Sequence, residues 1–357
     1  MALITWSLGA SYFPEAVHGI APAAAYGLGL ASALLLFASI LAHEFGHAIV
    51  ARRRGIEIEE IDLWLLGGVS RMHGEAHDPR DELRYALAGP LVSLAIALSF
   101  GVVAILLPAG TPPVVMALVE YQAFINGLIL VFNLLPAFPL DGGRVLRAIL
   151  WRKSGEIARS TKTAAGVGRG FGYVMILLGV LDFVSGEPGG LWLAVIGFFI
   201  VVAAGAQAFG ARIQSTFGGV RARELMSAPV VSFPGSMPAA RAALQWGALH
   251  RYTAFPVTDA TGRALGLVGA SELLGGSGRQ RASLAELADT SPGLIVGEDQ
   301  DVVTLLESPA FQRVGRAVVV DGRRRPVGMI SVTDVQRALG ADELAAAGHN
   351  GHLRAAV

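Results

Sequence analysis

The sequence predicts an α-helical polytopic membrane domain, with about five clear spans plus a truncated N-terminal one, followed by a soluble α/β domain pair. Three observations carry this. The 357 residues are 53% hydrophobic with a mean hydropathy of +0.54, too apolar for an ordinary soluble protein. Apolar residues concentrate before residue 210, in stretches approaching the roughly 20 residues that cross a bilayer as a helix. After Thr216 the composition becomes that of soluble sequence, and a weak repeat of about sixty residues appears.

Residues 1–20, "MALITWSLGASYFPEAVHGI", have no basic n-region, and their apolar part is about half the length of a span. They read as the last turns of a membrane helix and its exit loop, or as a short interfacial segment. The clear spans follow. They are Ala23 to Val50, Tyr85 to Leu107, Val114 to Leu135, and a hairpin, Gly170 to Phe183 and Leu191 to Phe209, turned at "SGEPGG". The expected domains are therefore 1–20, a membrane domain over 21–212, soluble domains over 213–278 and 279–341, and a disordered tail over 342–357.

Lys plus Arg equals Asp plus Glu at 28 each, so nothing global suggests a nucleic-acid partner. The asymmetry is local. Arg52 to Arg54 follow the first clear span, Arg80 and Arg84 precede the second, and Arg144, Arg147, Arg152, Lys153, Arg159, Lys162 and Arg169 lie between the third and the hairpin, while "PAGTPP" and "SGEPGG" carry neither residue. The positive-inside rule puts the basic loops and the C-terminal half in the cytoplasm, and the richness in Ala, Gly and Arg suggests a bacterium, hence its inner membrane. Cysteine is absent, which excludes disulfides, thiolate zinc sites and cysteine nucleophiles. Any metal must be held by His, Asp or Glu.

"ILAHEFGHAIVARRRG" places His43, Glu44 and His47 inside the first clear span, where ionisable groups are expensive and usually mark function. Positions i and i+4 of a helix differ by about 40° in azimuth, so His43 and His47 present their rings from one face and can chelate one zinc ion. Glu44 sits on the next step, placed to take a proton from a water instead of ligating. The alternative is a pair of satisfied histidines with Glu44 bridged to a nearby arginine. A zinc site needs a third protein ligand, and His73, His77, Asp78 and Asp141 are the candidates. The first three lie in the polar loop "RMHGEAHDPRDE". Asp141 lies in "FNLLPAFPLDGGR", where the third span breaks at two prolines and two glycines, as backbone at membrane depth does only inside protein or a cavity. Asn133, in the same segment, can donate its amide to a substrate carbonyl or its developing oxyanion, or can cap a helix.

His43, Glu44 and His47, with Asn133, Pro136, Pro139 and the run Leu140 to Gly143, resemble the site-2 proteases, intramembrane zinc metalloproteases with HExxH on one membrane helix and N-x-x-P-x-x-P-L-D-G-G on another. "LWLLGGVSRM", with Gly67 and Gly68, resembles the family's membrane-associated hairpin, and "LAGPLVS", with Gly89 and Pro90, the opening of its next helix. The resemblance covers residues 20 to 210. It implies His43, His47 and Asp141 as ligands of one zinc ion per chain, Glu44 and Asn133 as catalytic residues, Gly67 and Gly68 beside the substrate, and a single-span membrane protein such as an anti-sigma factor as substrate in regulated intramembrane proteolysis. Members of this type usually carry a complete helix before the HExxH helix, and here only its tail is expected.

In the soluble half, "AFPVTDATGRALGLVGASELL" (254–274) aligns with "AVVVDGRRRPVGMISVTDVQRAL" (317–339), each reading as strand, turn, strand, helix. The pattern resembles a pair of cystathionine-β-synthase (CBS) domains. That resemblance implies an adenine nucleotide held by Thr333 and Asp334 in the second copy and by Ser271 and Glu272 in the first, or a homodimer contact without ligand; Thr333 and Asp334 can equally cap the following helix. Two other classes of function compete with the protease. A nucleotide-regulated transporter or channel predicts repeated membrane halves with matching broken helices, and a single broken helix is visible. A zinc-binding adaptor without activity would not need Glu44.

Overall fold

The computed structural model describes residues 1–54, 57–64, 67–73, 78–248, 253–273 and 282–341. His77, the 342–357 tail and the 278/279 domain boundary lie outside these residues. The chain forms two compact units, Met1–Ala211 and Arg212–Val357.

The first unit opens with α1 (Ala2–Ser7), a π-helical turn over Leu8–Tyr12 and α2 (Phe13–Ala16). Among the described residues, five helices are then long and apolar enough to cross a membrane: α3 (Pro22–Arg53), α4 (Pro79–Leu106), α5 (Pro113–Asn133), α7 (Ile157–Val184) and α8 (Gly189–Phe217). Residue placement within α3 shows the logic. Ala25, Gly29, Ser32, Ala33, Ser39, His43, His47 and Ala51 form its buried stripe, while Leu30, Leu34, Phe37, Phe45 and Ile49 face outward. An apolar outer surface with small and polar groups inside is what a bilayer solvent selects. At 1.5 Å per residue α3 is about 48 Å long, more than the hydrocarbon core of about 30 Å, and ends on Arg52 and Arg53.

Three boundaries differ from the sequence reading. Helix α4 begins at Pro79, not Tyr85, because Asp78 accepts the Arg80 N–H at 2.6 Å, Pro79 fits the first turn, and Asp81 and Glu82 suit the N-terminal dipole. The basic stretch after α5 is α6 (Asp141–Ser154), closed by left-handed Gly155. Helix α7 begins at Ile157, not Gly170: the Ser160 and Thr161 hydroxyls bond back to the carbonyls of Glu156 and Ile157, and Ala164 and Ala165 bury against Phe138. Between α3 and α4, β1 (Glu57–Trp64) and β2 (Gly67–His73) form an antiparallel hairpin that pairs Gly67 with Trp64 and Gly68 with Leu63.

The second unit repeats one topology. After α9 (Ala222–Leu225), β3 (Phe233–Pro234) leads through α10 (Ala239–Ala248) to β4 (Ala254–Thr258), β5 (Ala264–Gly269) and α11 (Ala270–Leu273). Then α12 (Leu284–Leu287), β6 (Ile295–Gly297), α13 (Val302–Glu307) and α14 (Pro309–Val314) lead to β7 (Arg316–Val320) and β8 (Pro326–Ser331). In each copy the first strand pairs parallel with the second and the second antiparallel with the third, and the register slips at the same place, between Val257 and Thr258 and between Val319 and Val320. A shared core of Ala254, Ala264 and Leu267 with Val318, Val320 and Met329 joins the copies.

Candidate metal centre

His43 and His47 lie one turn apart on the buried stripe of α3. Their Nε2 atoms are 3.2 Å apart, and Asp141 Oδ2, at the start of α6, is 3.1 Å from the first and 3.3 Å from the second. The two histidines are 4% and 3% exposed, so little water is left to satisfy them. His47 Nδ1 lies 2.8 Å from the Tyr85 carbonyl, which can only accept; Nδ1 therefore carries the hydrogen, and in the neutral ring Nε2 is a lone pair. His43 Nδ1 lies 2.9 Å from Ser93 Oγ. When it donates to that hydroxyl, two imidazole lone pairs and a carboxylate oxygen converge with no hydrogen between them. A cation resolves that arrangement, and two imidazoles with a carboxylate, each ring braced through its other nitrogen, suit zinc. Among the described residues, these three form the group of His and acidic side chains whose donor atoms fall within 4.8 Å of one another.

The neighbouring motifs supply the fit. A Cβ on Gly89 would strike both imidazoles, so the glycine lets α4 lie against the histidines and bring Tyr85 and Ser93 to their outer nitrogens. Gly142 and Gly143 would, with a Cβ, collide with the backbone of Leu134, Leu135, Ala137 and Phe138. The chain after α5 thus doubles back against α6, which turns Asp141 toward α3. Pro136 and Pro139 prevent α5 from continuing.

Of the other residues singled out in the sequence, Glu44 is half-buried beside the triad on α3. Asn133 is half-buried as the last residue of α5, on the face that also carries buried Gln122 and Asn126. Asp78 is engaged in the cap of α4, and His73 is the last residue of β2. Gly67 and Gly68 sit at the turn end of the hairpin.

One feature escapes the sequence. Arg147, counted there among the basic loops, is buried in α6, where its Nε and Nη2 both donate to Glu82 Oε1 of α4. The pair is 8% and 1% exposed, and the guanidinium lies 5.5 Å from the centre of the Phe138 ring. It ties the helix carrying Asp141 to the helix carrying Tyr85 and Ser93. Nothing in "DELRY" or "RVLRA" marks the pairing, because the partners are 65 residues apart.

In the second unit, Asp334 is 8% exposed and its carboxylate is taken up internally. Oδ2 accepts from Ser331 N–H at 2.9 Å and from its hydroxyl at 2.6 Å, and Oδ1 from Ser227 Oγ at 2.9 Å. Ser331 Oγ accepts in return from Asp334 N–H at 3.3 Å, a capping box on the helix over 332–341. The hydroxyl beside Asp334 is therefore Ser331, while Thr333 is exposed. In the first copy the equivalent of Ser331 is Gly269; Ser271 there donates to Glu272 Oε2 at 3.2 Å.

Comparison with known proteins agrees with both units. Peptidase family M50 matches residues 31–116 and 111–178, and the CBS domain family matches 222–277 and 290–341. Over 351 residues the chain is 40% identical to the zinc metalloprotease Rip3 of Mycobacterium tuberculosis, covering 96% of this chain and 88% of that one. It is 31% identical over 313 residues to the zinc metalloprotease MJ0392 of Methanocaldococcus jannaschii, covering 87% and 85%. The solved site-2 protease from Methanocaldococcus jannaschii aligns with 33% identity over 57% of this chain and 88% of that one, at a TM-score of 0.40. The chain thus belongs to peptidase family M50, the site-2 protease type of zinc metalloprotease, as a multi-pass membrane protein with a CBS domain pair.

Proposed function

We propose that the chain is an endopeptidase that hydrolyses a peptide bond within a single-span membrane protein, near the cytoplasmic end of its helix. The observation that supports this best is the meeting of His43 Nε2, His47 Nε2 and Asp141 Oδ2 on the buried side of a membrane helix that also carries Glu44. These three side chains would hold one zinc ion. Bound there, zinc would supply a Lewis acid that lowers the pKa of water. Glu44 takes the proton of the attacking water and delivers it to the leaving amine. Asn133 donates its amide to the scissile carbonyl oxygen as charge develops. A helical substrate has its carbonyls bonded internally and must first unwind; the edge of the β1–β2 hairpin, around Gly67 and Gly68, offers the unwound stretch a strand to pair with.

The loop charges support an orientation with the basic segments and the CBS pair in the cytoplasm, and the richness in Ala, Gly and Arg suits a bacterial inner membrane. An anti-sigma factor already shortened outside the membrane is the substrate class that fits, and the reaction is then a step of regulated intramembrane proteolysis. The CBS pair tunes access according to adenine nucleotide level, through Asp334 and Ser331 with Thr333 nearby and through Ser271 and Glu272 in the first copy, or holds a homodimer together.

The test is cleavage in liposomes of a panel of single-span substrates by wild type, by Glu44→Gln and by wild type with a zinc chelator. Cleavage by wild type alone supports the reading. Cleavage that survives Glu44→Gln removes Glu44 from the reaction, and zinc retained with no substrate cut by any form favours a binding role without catalysis.

A further inference from the structure

Between the first turn of α4 and the last two turns of α6 the membrane unit carries a cleft of about 320 Å³, at the small end of the roughly 300–1,000 Å³ range of ligand sites. Its lining is of two kinds. Arg80, Arg152 and Lys153 bring three cations; Pro79, Leu83 and Ile149 bring apolar surface. The carboxylates nearby are engaged elsewhere: Asp81 with Arg54 and Arg84, and Glu82 with Arg147. Among the described residues none of the three cleft cations has a carboxylate partner. Asp78 already caps α4, so the charge offered to a ligand comes from the side chains and not from the helix end.

The position of the cleft selects its ligand. The membrane-crossing helix α4 begins at Pro79, so the cleft lies where the bilayer meets water. Ile149, on α6, is 43% exposed beside it. Three exposed cations line one cleft, and at this boundary the abundant anion that would join them is a lipid phosphate. A free phosphate would satisfy the cations and leave the apolar wall unused. A phospholipid uses both.

We propose that this cleft binds the headgroup of an anionic phospholipid, with the phosphate among Arg80, Arg152 and Lys153 and the upper acyl chain along Leu83 and Ile149. Only the choice of leaflet, the cytoplasmic one, rests on the orientation proposed above. The bound lipid bridges α4 and α6, the two helices whose relative position brings Asp141 to the histidines. It therefore braces the metal centre from outside without touching it.

Native mass spectrometry of the full chain in neutral detergent tests this, with phosphatidylglycerol and phosphatidylcholine titrated separately. The variants are Arg80→Gln/Arg152→Gln/Lys153→Gln and the single exposed change Lys153→Glu. Wild type is expected to hold phosphatidylglycerol in preference to phosphatidylcholine. Each lost cation should weaken that preference about fivefold, and the triple change by roughly 100-fold. Phosphatidylglycerol should also raise the melting temperature of wild type and not of the triple variant. An unchanged preference in both variants overturns the proposal. Displacement of the lipid by an equal concentration of inorganic phosphate also overturns it, assigning the cleft to free phosphate. Zinc content and melting without lipid show whether the variants fold, and Lys153→Glu carries the test if the triple change does not. A protein that binds the lipid but cuts nothing would sink the protease reading and leave this one standing.

Discussion

Two aspartates stand in the opening turns of helices, one in each unit, and their surroundings are opposite. Asp334 is surrounded by donors: the Ser331 N–H and hydroxyl, the Ser227 hydroxyl and, at 3.5 Å, Arg337. Asp141 faces the Nε2 atoms of His43 and His47, which are lone pairs when the rings are neutral and Nδ1 carries the hydrogen. Both carboxylates are largely buried, with side-chain exposures of 9% and 15%. A buried carboxylate that faces neutral imidazoles can take up a cation with them, whereas one saturated with donors is already at work as structure. Asp141 is thus placed to share a cation with the two histidines, and any ribose at Asp334 must displace or share bonds that the fold already makes.

The contrast can be pressed by substitution. The largest effect is expected at Glu44, beside the donor-poor site: Glu44→Gln should lower the cleavage rate by about 10²–10⁴-fold with zinc content unchanged, read from liposome kinetics and metal analysis of the same preparation. Next comes the tie between α4 and α6. Glu82→Gln or Arg147→Met alone leaves a buried charge uncompensated and should cost about 3–5 kcal/mol, seen as a lower unfolding midpoint in detergent, while Glu82→Leu with Arg147→Met should recover most of it. A double variant no better than the worse single one would show that packing, not charge, holds the helices.

Smaller effects follow. Ser93→Ala removes the brace on His43 Nδ1 and should weaken zinc affinity by about 10–100-fold in chelator competition, leaving the unfolding midpoint of the zinc-loaded protein near wild type. Ser227→Ala should destabilise the CBS pair by about 1 kcal/mol without altering zinc content; if adenosine monophosphate binds more tightly to this variant than to wild type, Ser227 and ribose compete for Asp334.

The smallest effect is a matter of pH. The Asp289 carboxyl is held below the usual carboxylate range by the Ser291 hydroxyl and N–H, with Arg313 adding to it. A depressed folded pKa stabilises above the unfolded value of about 4 and loses that contribution as pH falls through the folded one. Ser291→Ala should therefore lower stability slightly at neutral pH, and the difference should vanish in acid.

How much of this was legible beforehand differs between the units for a physical reason. The membrane spans were readable because lipid demands uninterrupted apolar surface, and His43 and His47 because a charge inside such a run has few structural excuses. The Asp141 carboxylate was legible only through the broken segment around it, since no spacing rule links residues 98 positions apart. Helix α6 and the start of α7 were not readable as helices: their polarity resembles a loop, and what makes them helical is packing of Ala164 and Ala165 under Phe138 and the burial of Arg147. In the CBS pair the repeat is visible in the sequence, whereas the bond from Ser331 to Asp334 was not singled out there. A hydroxyl three residues before an aspartate is the capping-box pattern, and that was the signal for it.

Zinc stoichiometry is the most direct measurement, made by elemental analysis on purified wild type, Glu44→Gln, Asp141→Ala, and Asp334→Ala as a control. One zinc per chain is expected in wild type, Glu44→Gln and Asp334→Ala, with the metal lost from Asp141→Ala. Full zinc occupancy in Asp141→Ala, or none in wild type purified without chelator, would contradict the assignment of His43, His47 and Asp141 as the metal ligands.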